Sequence, residues 1–146
     1  MNDDQINQSL KLFIVLSRAY RAINEEVNKV IQQKGLNPTE FAVLELLYHK
    51  GDQPLQQIGD KILLASGSIT YVVDKLEKKG FLKRVGCPKD RRVTYAQITE
   101  AGEGFIKEIF PDHSSRIDEL INVLDAEEKQ TAIELLKKLG LSLGKY

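Results

Sequence analysis

Between Ser66 and Gly102 the chain passes from a short amphipathic segment, SGSITYVVDKLEKKG, straight into a basic stretch, FLKRVGCPKDRRVTYAQITEAG, a succession that few folds accept. Ile69, Val72, Val73 and Leu76 fall at i, i+3, i+4 and i+7, which predicts a helix buried along one narrow stripe. The opposite face carries Gly67, Tyr71, Asp74, Lys75 and Lys78. Ser66, Gly67, Ser68 and Thr70 crowd the first turn with small and hydroxyl-bearing side chains, as suits a helix entering a major groove end-on. Gly80 signals a C-cap, and the residues beyond it alternate in strand fashion up to Thr99. The stretch therefore predicts a DNA-reading helix followed by a wing.

The flanks decide how such a unit is carried. From Gln5 to Gln33 there is no proline or glycine, and Ile6, Leu10, Phe13, Leu16, Tyr20, Ile23, Val27, Val30 and Ile31 recur at helical spacing. Their near-heptad rhythm predicts one long helix that packs against another chain. Gly35 stops it, and Asn37-Pro38-Thr39-Glu40 starts a second helix over Glu40 to Lys50, with Phe41, Leu44, Leu47 and Tyr48 inward. Asp52-Gln53-Pro54 is expected to begin a third, with Leu55, Ile58, Gly59 and Ile62 inward and an end near Leu64. With the segment after it, this makes a helix-turn-helix. Leu82 to Val85 and Arg92 to Ile98 read as the strands of the wing. Thr99 caps a further helix, Phe110-Pro111 is expected to kink or interrupt it, and Ile117, Leu120, Ile121 and Leu124 continue the stripe. Asp125 opens a last helix bearing Ala132, Ile133, Leu136 and Leu139.

Charge is informative only by position. The chain has 21 basic and 21 acidic side chains, so its net charge says nothing for a polyanion partner. Residues 66–98, however, hold 8 basic against 3 acidic groups, while 99–146 hold 6 against 10. A basic patch on a neutral protein of 146 residues fits one domain with a dedicated nucleic-acid face. The longest apolar run, Leu12 to Leu16, is far short of the roughly 20 residues that span a bilayer, and Met-Asn-Asp-Asp lacks the pattern of a secretory signal. With one cysteine and no intramolecular disulfide available, a cytoplasmic location is expected. His49 and His113 stand in no metal-binding motif, and no P-loop, nucleophile elbow or dinucleotide fingerprint is present. Neither an enzyme nor a bound metal or other cofactor is expected.

Three pieces resemble the MarR family of bacterial winged-helix transcriptional regulators: Ser68 to Gly80 (SITYVVDKLEKKG), Asp90-Arg91-Arg92, and Ile98-Thr99-Glu100-Ala101-Gly102. Their order and spacing match, as do the long helices at both ends, so the likeness spans nearly the whole chain. The resemblance implies a mostly α fold with a small β-hairpin wing, in which residues 1–36 and 111–146 form dimerisation helices and 37–110 the DNA-binding lobe, one continuous unit. It implies a homodimer reading a pseudo-palindromic double-stranded operator, most often as a repressor that a small molecule or oxidant releases. By matching position, Ser66 to Lys79 is the recognition helix, Arg92 the minor-groove arginine and Asp90 the acid that holds the wing together. A narrow minor groove of strong negative potential accepts such a guanidinium. Arg84, Lys89 and Arg91 are expected to add phosphate contacts, and Ser66, Gly67, Ser68, Thr70, Tyr71 and Lys75 form the reading front.

Two further sites follow. Cys87, near Lys83, Arg84, Lys89 and Arg91, is a candidate redox-sensing thiol, although redox-sensing relatives place theirs in the N-terminal helix, which has none here. The resemblance also implies a crevice for a small aromatic ligand between the dimerisation helices and the lobe, with Tyr20, Phe41, His49 and Phe110 as candidate walls. The competing reading is a winged-helix module that contacts an acidic protein and does not bind DNA.

Overall fold

A computed structural model describes residues 2–62 and 68–144. Ser66 and Gly67, expected at the front of the recognition helix, and the expected helix end near Leu64 lie outside the described residues. The elements are α1 (Asp3–Gln33), α2 (Pro38–Lys50), β1 (Gln53–Pro54), α3 (Leu55–Lys61), α4 (Ile69–Lys78), β2 (Leu82–Gly86), β3 (Thr94–Ile98), α5 (Glu100–Ile121) and α6 (Ala126–Ser142). The fold is mostly helical with a small antiparallel sheet, as the periodicities require.

Local chemistry sets the boundaries. Asn37 and Glu40 form a reciprocal capping box at the start of α2, with Pro38 inside the first turn where its missing N–H costs nothing. Asp125 and Glu128 repeat the box at α6. Helix α4 ends in a Schellman turn: Phe81 N–H donates to the Leu76 carbonyl and Gly80 N–H to that of Glu77, with Gly80 at φ +80°. Only glycine takes that conformation without strain. Thr99 then ties the next helix to this turn, its hydroxyl donating to the Gly80 carbonyl (2.6 Å) while accepting from Gly102 N–H (3.1 Å).

Three expectations give way here. Asp52-Gln53-Pro54 does not begin a helix: Gln53 and Pro54 form a two-residue strand against Ala96 and Tyr95, and α3 starts at Leu55. Proline tolerates an edge strand, where its lack of an N–H leaves no ladder bond unmade. The sheet order is β1-β3-β2, with Leu82 opposite Ile98 and Gly86 opposite Thr94, and the second wing strand starts at Thr94 rather than Arg92. Nor does Pro111 interrupt α5, which runs unbroken through it. The lost N–H and crowded carbonyl are local costs, and buried Ile106 and Ile109 anchor the helix immediately before them.

One core joins these parts. Leu44, Leu47, Ile58, Val73, Leu76, Leu82, Ala96 and Ile106 are all essentially inaccessible and belong to a single cluster. α1 packs along α5 and α2 but buries only Ile31 fully, and α6 buries nothing. Leu10, Phe13, Leu16 and Tyr20 on α1, and Ile133, Leu136 and Leu139 on α6, stand exposed.

Candidate nucleic-acid interface

The stripe read from the sequence seats α4. Val72, Val73 and Leu76 are buried and Ile69 packs against the same core, so the opposite face is turned outward. Ser68 caps the helix, its hydroxyl accepting from Tyr71 N–H at 3.4 Å. Thr70 and Tyr71 are exposed, and the Lys75 ammonium lies 5.5 Å from the Tyr71 ring centre, within cation–π range. An aromatic edge, hydroxyls and a lysine thus share one front, a donor set that suits base edges and phosphates.

The wing presents a second cation. Arg92 is 90% exposed at its side chain and is oriented by Asp90, which accepts from its backbone N–H (3.0 Å), Nε (3.2 Å) and Nη2 (3.3 Å). The Arg92 side chain, and then its backbone N–H, hold the Asp90 carboxyl below its ordinary range. Gln56 of α3 donates to the Arg92 carbonyl at 3.4 Å, linking the wing tip to the helix-turn-helix. Lys89 and Arg91 flank it, exposed. Cys87, half-buried, donates its backbone N–H to the Val93 carbonyl inside the hairpin.

Arg84 differs from the other basic residues of the patch. Its guanidinium reaches Asp74 (2.5 Å) and Glu77 (2.6 Å), and Asp74 above all raises its pKa. A cation expected to contact phosphate is thus already engaged by two carboxylates. At the far end of α4, Lys79 bonds Glu40 (2.7 Å) and the Gly35 carbonyl (3.3 Å), with the Glu40 side chain only 2% exposed.

Residues of α1, α2 and α5, with Lys61 and Ile62 at the end of α3, line a crevice of about 880 Å³. Tyr20, Phe41 and His49 are among the residues that line it. Phe110 does not line it: its ring packs against two of the lining side chains, His49 (5.6 Å) and His113 (6.0 Å). The residues not foreseen as walls include Asn28, Glu45 and His113. His113 stacks obliquely on Phe41 (4.6 Å), its Nε2 is 3.9 Å from Glu45, and burial pushes its imidazole pKa down while Glu45 opposes that shift. Asn28 Oδ1 and His113 Nδ1 are buried without a hydrogen-bond partner among the described residues. Such orphans are costly and invite a polar ligand atom or water. Among the described residues no cluster suited to a metal ion occurs, and no helix is long and apolar enough to cross a membrane.

The MarR family profile matches residues 36–94, the span from α2 to the start of β3. The transcriptional regulator MhqR of Bacillus subtilis (strain 168) is 68% identical over 139 residues, covering 95% of this chain and 96% of that protein. The chain belongs to the MarR family. As a member it is a DNA-binding transcriptional regulator on a winged helix-turn-helix. Solved MarR-type folds superpose on it: Sco3205 of Streptomyces coelicolor, determined in complex with DNA, has a TM-score of 0.83 at 17% identity, covering 94% of this chain and 88% of that one. NadR, determined in complex with 4-hydroxyphenylacetate, has a TM-score of 0.71 at 25% identity, covering 86% and 89%. In this MarR chain Thr70 and Tyr71 stand exposed on α4, and Lys89, Arg91 and Arg92 stand exposed on the hairpin. The two ion-pair anchors of α4 were missed, since their partners lie up to 39 positions away.

Proposed function

We propose that this regulator acts as a homodimer that represses by occupying a pseudo-palindromic double-stranded operator, and that a small aromatic ligand in the crevice releases it. The observation that carries DNA reading is the pairing of an outward α4 front with an Arg92 guanidinium at the tip of an ordered hairpin. One enters the major groove and the other the adjacent minor groove. Two heads set about 34 Å apart along the duplex read the two half-sites, and a protein seated on a promoter excludes the polymerase. Residues 1–36 and 111–146 serve as the dimerisation part and 37–110 as the lobe.

Release follows from the crevice's place between α1, α5 and α2. A ligand that favours one separation of these helices shifts the dimer toward a geometry unfit for the operator. Aromatic walls, a histidine and an amide suit a small phenol or aromatic carboxylate, the class to which the NadR ligand belongs. The crevice, rather than Cys87, is the sensor in this reading, since the crevice has aromatic and polar walls suited to a ligand.

Selecting duplexes from a random library at fixed salt tests the reading, with a palindromic consensus as the expected result. Arg92→Ala should then weaken binding at least about tenfold and make the log-affinity against log-salt slope shallower by about two, one for each protomer. No bound duplex favours the protein-interaction alternative, and unchanged binding by that variant removes Arg92 from the DNA contact. A panel of small phenols and aromatic carboxylates, including 4-hydroxyphenylacetate, should contain a member that releases the duplex; none doing so removes the ligand half.

A further inference from the structure

The structure assigns to Arg84 the role of a positioning residue: with Asp74 and Glu77 it fixes the recognition helix to the wing so that both grooves are read in register. This rests on the DNA-binding reading above. Arg84 sits on β2 opposite Ala96, and its two guanidinium arms separate, Nη2 to Asp74 Oδ1 (2.5 Å) and Nη1 to Glu77 Oε1 (2.6 Å). Glu77 Oε2 also accepts the backbone N–H of Arg84 at 3.2 Å. Asp74 and Glu77 are i and i+3 on α4, one turn apart on one face, so a single planar cation ties that turn of the helix to the strand. With the Arg84 side chain only 28% exposed, these charge-assisted bonds are partly shielded from water.

Electrostatics supplies the second argument. Residues 66–98 contain only three acids, and two of them, Asp74 and Glu77, are spent on Arg84; the third, Asp90, holds Arg92. An acid on a reading helix repels phosphate, so Asp74 and Glu77 are a cost to affinity unless they do something else. One cation between two carboxylates carries a local charge of about −1, the wrong sign for a phosphate contact. What the trio provides is geometry. A short hairpin and a ten-residue helix must hold the Arg92 tip and the Tyr71–Lys75 front at a fixed separation, and Arg84 cross-braces them.

The test compares Asp74→Asn/Glu77→Gln and Arg84→Lys with the unmodified protein. The probes are a duplex selected from a random library by the unmodified protein and a mixed-sequence duplex. Positioning predicts that both variants bind the selected duplex about tenfold more weakly, with the salt slope unchanged and mixed-sequence binding retained or strengthened. A lysine keeps the charge but lacks the rigid guanidinium fork whose separate arms reach the two carboxylates. If Arg84 is instead a phosphate contact, Arg84→Lys binds nearly as well as the unmodified protein, and removing the two acids tightens binding to both duplexes. Either result overturns the inference, as does a loss that thermal unfolding and stoichiometric titration trace wholly to a smaller folded fraction. If the unmodified protein binds no duplex at all, the DNA reading fails and this inference fails with it.

Discussion

Single side chains in this protein take their meaning from the partner they are given. Arg92 and Arg84 are eight positions apart on one hairpin, yet one is 90% exposed beside a lone aspartate and the other is gripped by two acids of α4. The sequence shows both as basic residues of a wing; only the fold shows which of them has charge to spare. His113 was likewise legible only as a histidine outside any metal motif, and its role as a crevice wall depends on α5 continuing through Pro111. Its burial has a thermodynamic consequence. The folded-state value lies below the ordinary 6.5, so between that depressed value and 6.5 the unfolded chain binds more protons than the folded one. Stability from this group is therefore fully present above 6.5 and is lost as pH falls through the window beneath it. Unfolding midpoints measured from about pH 7.5 to about pH 5.5 should fall less steeply for His113→Gln than for the unmodified chain. Parallel curves would mean that His113 titrates alike in both states.

Whole elements were readable where apolar spacing and caps agree. The Asn37 to Glu40 box, the Thr99 cap and the Asp125 start act over about four residues and the stripe of α4 over two turns, which is the range a sequence exposes directly. β1 was not readable, because two residues carry no alternation and their partner strand lies some forty positions on. Pro111 misled for the complementary reason: its cost is local, and the packing that offsets it is not. The contact that joins elements most sharply is Lys79 with Glu40, which fastens the C-terminal end of α4 to the first turn of α2, directly beside the crevice wall Phe41. Lys79→Met leaves a 2%-exposed carboxylate without its cation. Because the ammonium is itself partly solvated, the expected loss is about 2 kcal/mol, below the 3 to 5 usual when a fully buried pair is broken. Chemical denaturation measures it, and a loss within about 0.5 kcal/mol of zero would show that water or Asn37 suffices for Glu40.

At the scale of the molecule, burial is distributed unevenly. The helix-turn-helix and wing share a closed core, whereas α1 leaves Phe13 at 67% and Leu10 at 55% exposure, and α6 leaves Leu136 at 45% and Leu139 at 46%. A lone soluble chain rarely maintains so large an apolar surface, and a second copy presenting the same two helices covers it in the proposed dimer. The near-heptad rhythm of α1 made this face visible in the sequence; which residues of the two copies meet depends on a crossing angle that spacing does not encode. The proposal ties DNA binding to this face, because two half-sites are engaged only when both heads belong to one body. Phe13→Glu would place a charge on the exposed stripe without touching the core of the lobe. The expected result is a dimer dissociation constant raised by at least about 100-fold in sedimentation equilibrium, with the helical content kept. Binding to a two-half-site duplex should fall with the dimer population, and binding to a single half-site should not change. A variant that stays dimeric while losing the operator would place Phe13 at the DNA rather than between subunits. One that becomes monomeric and still binds the full site undiminished would remove the dimer from the mechanism.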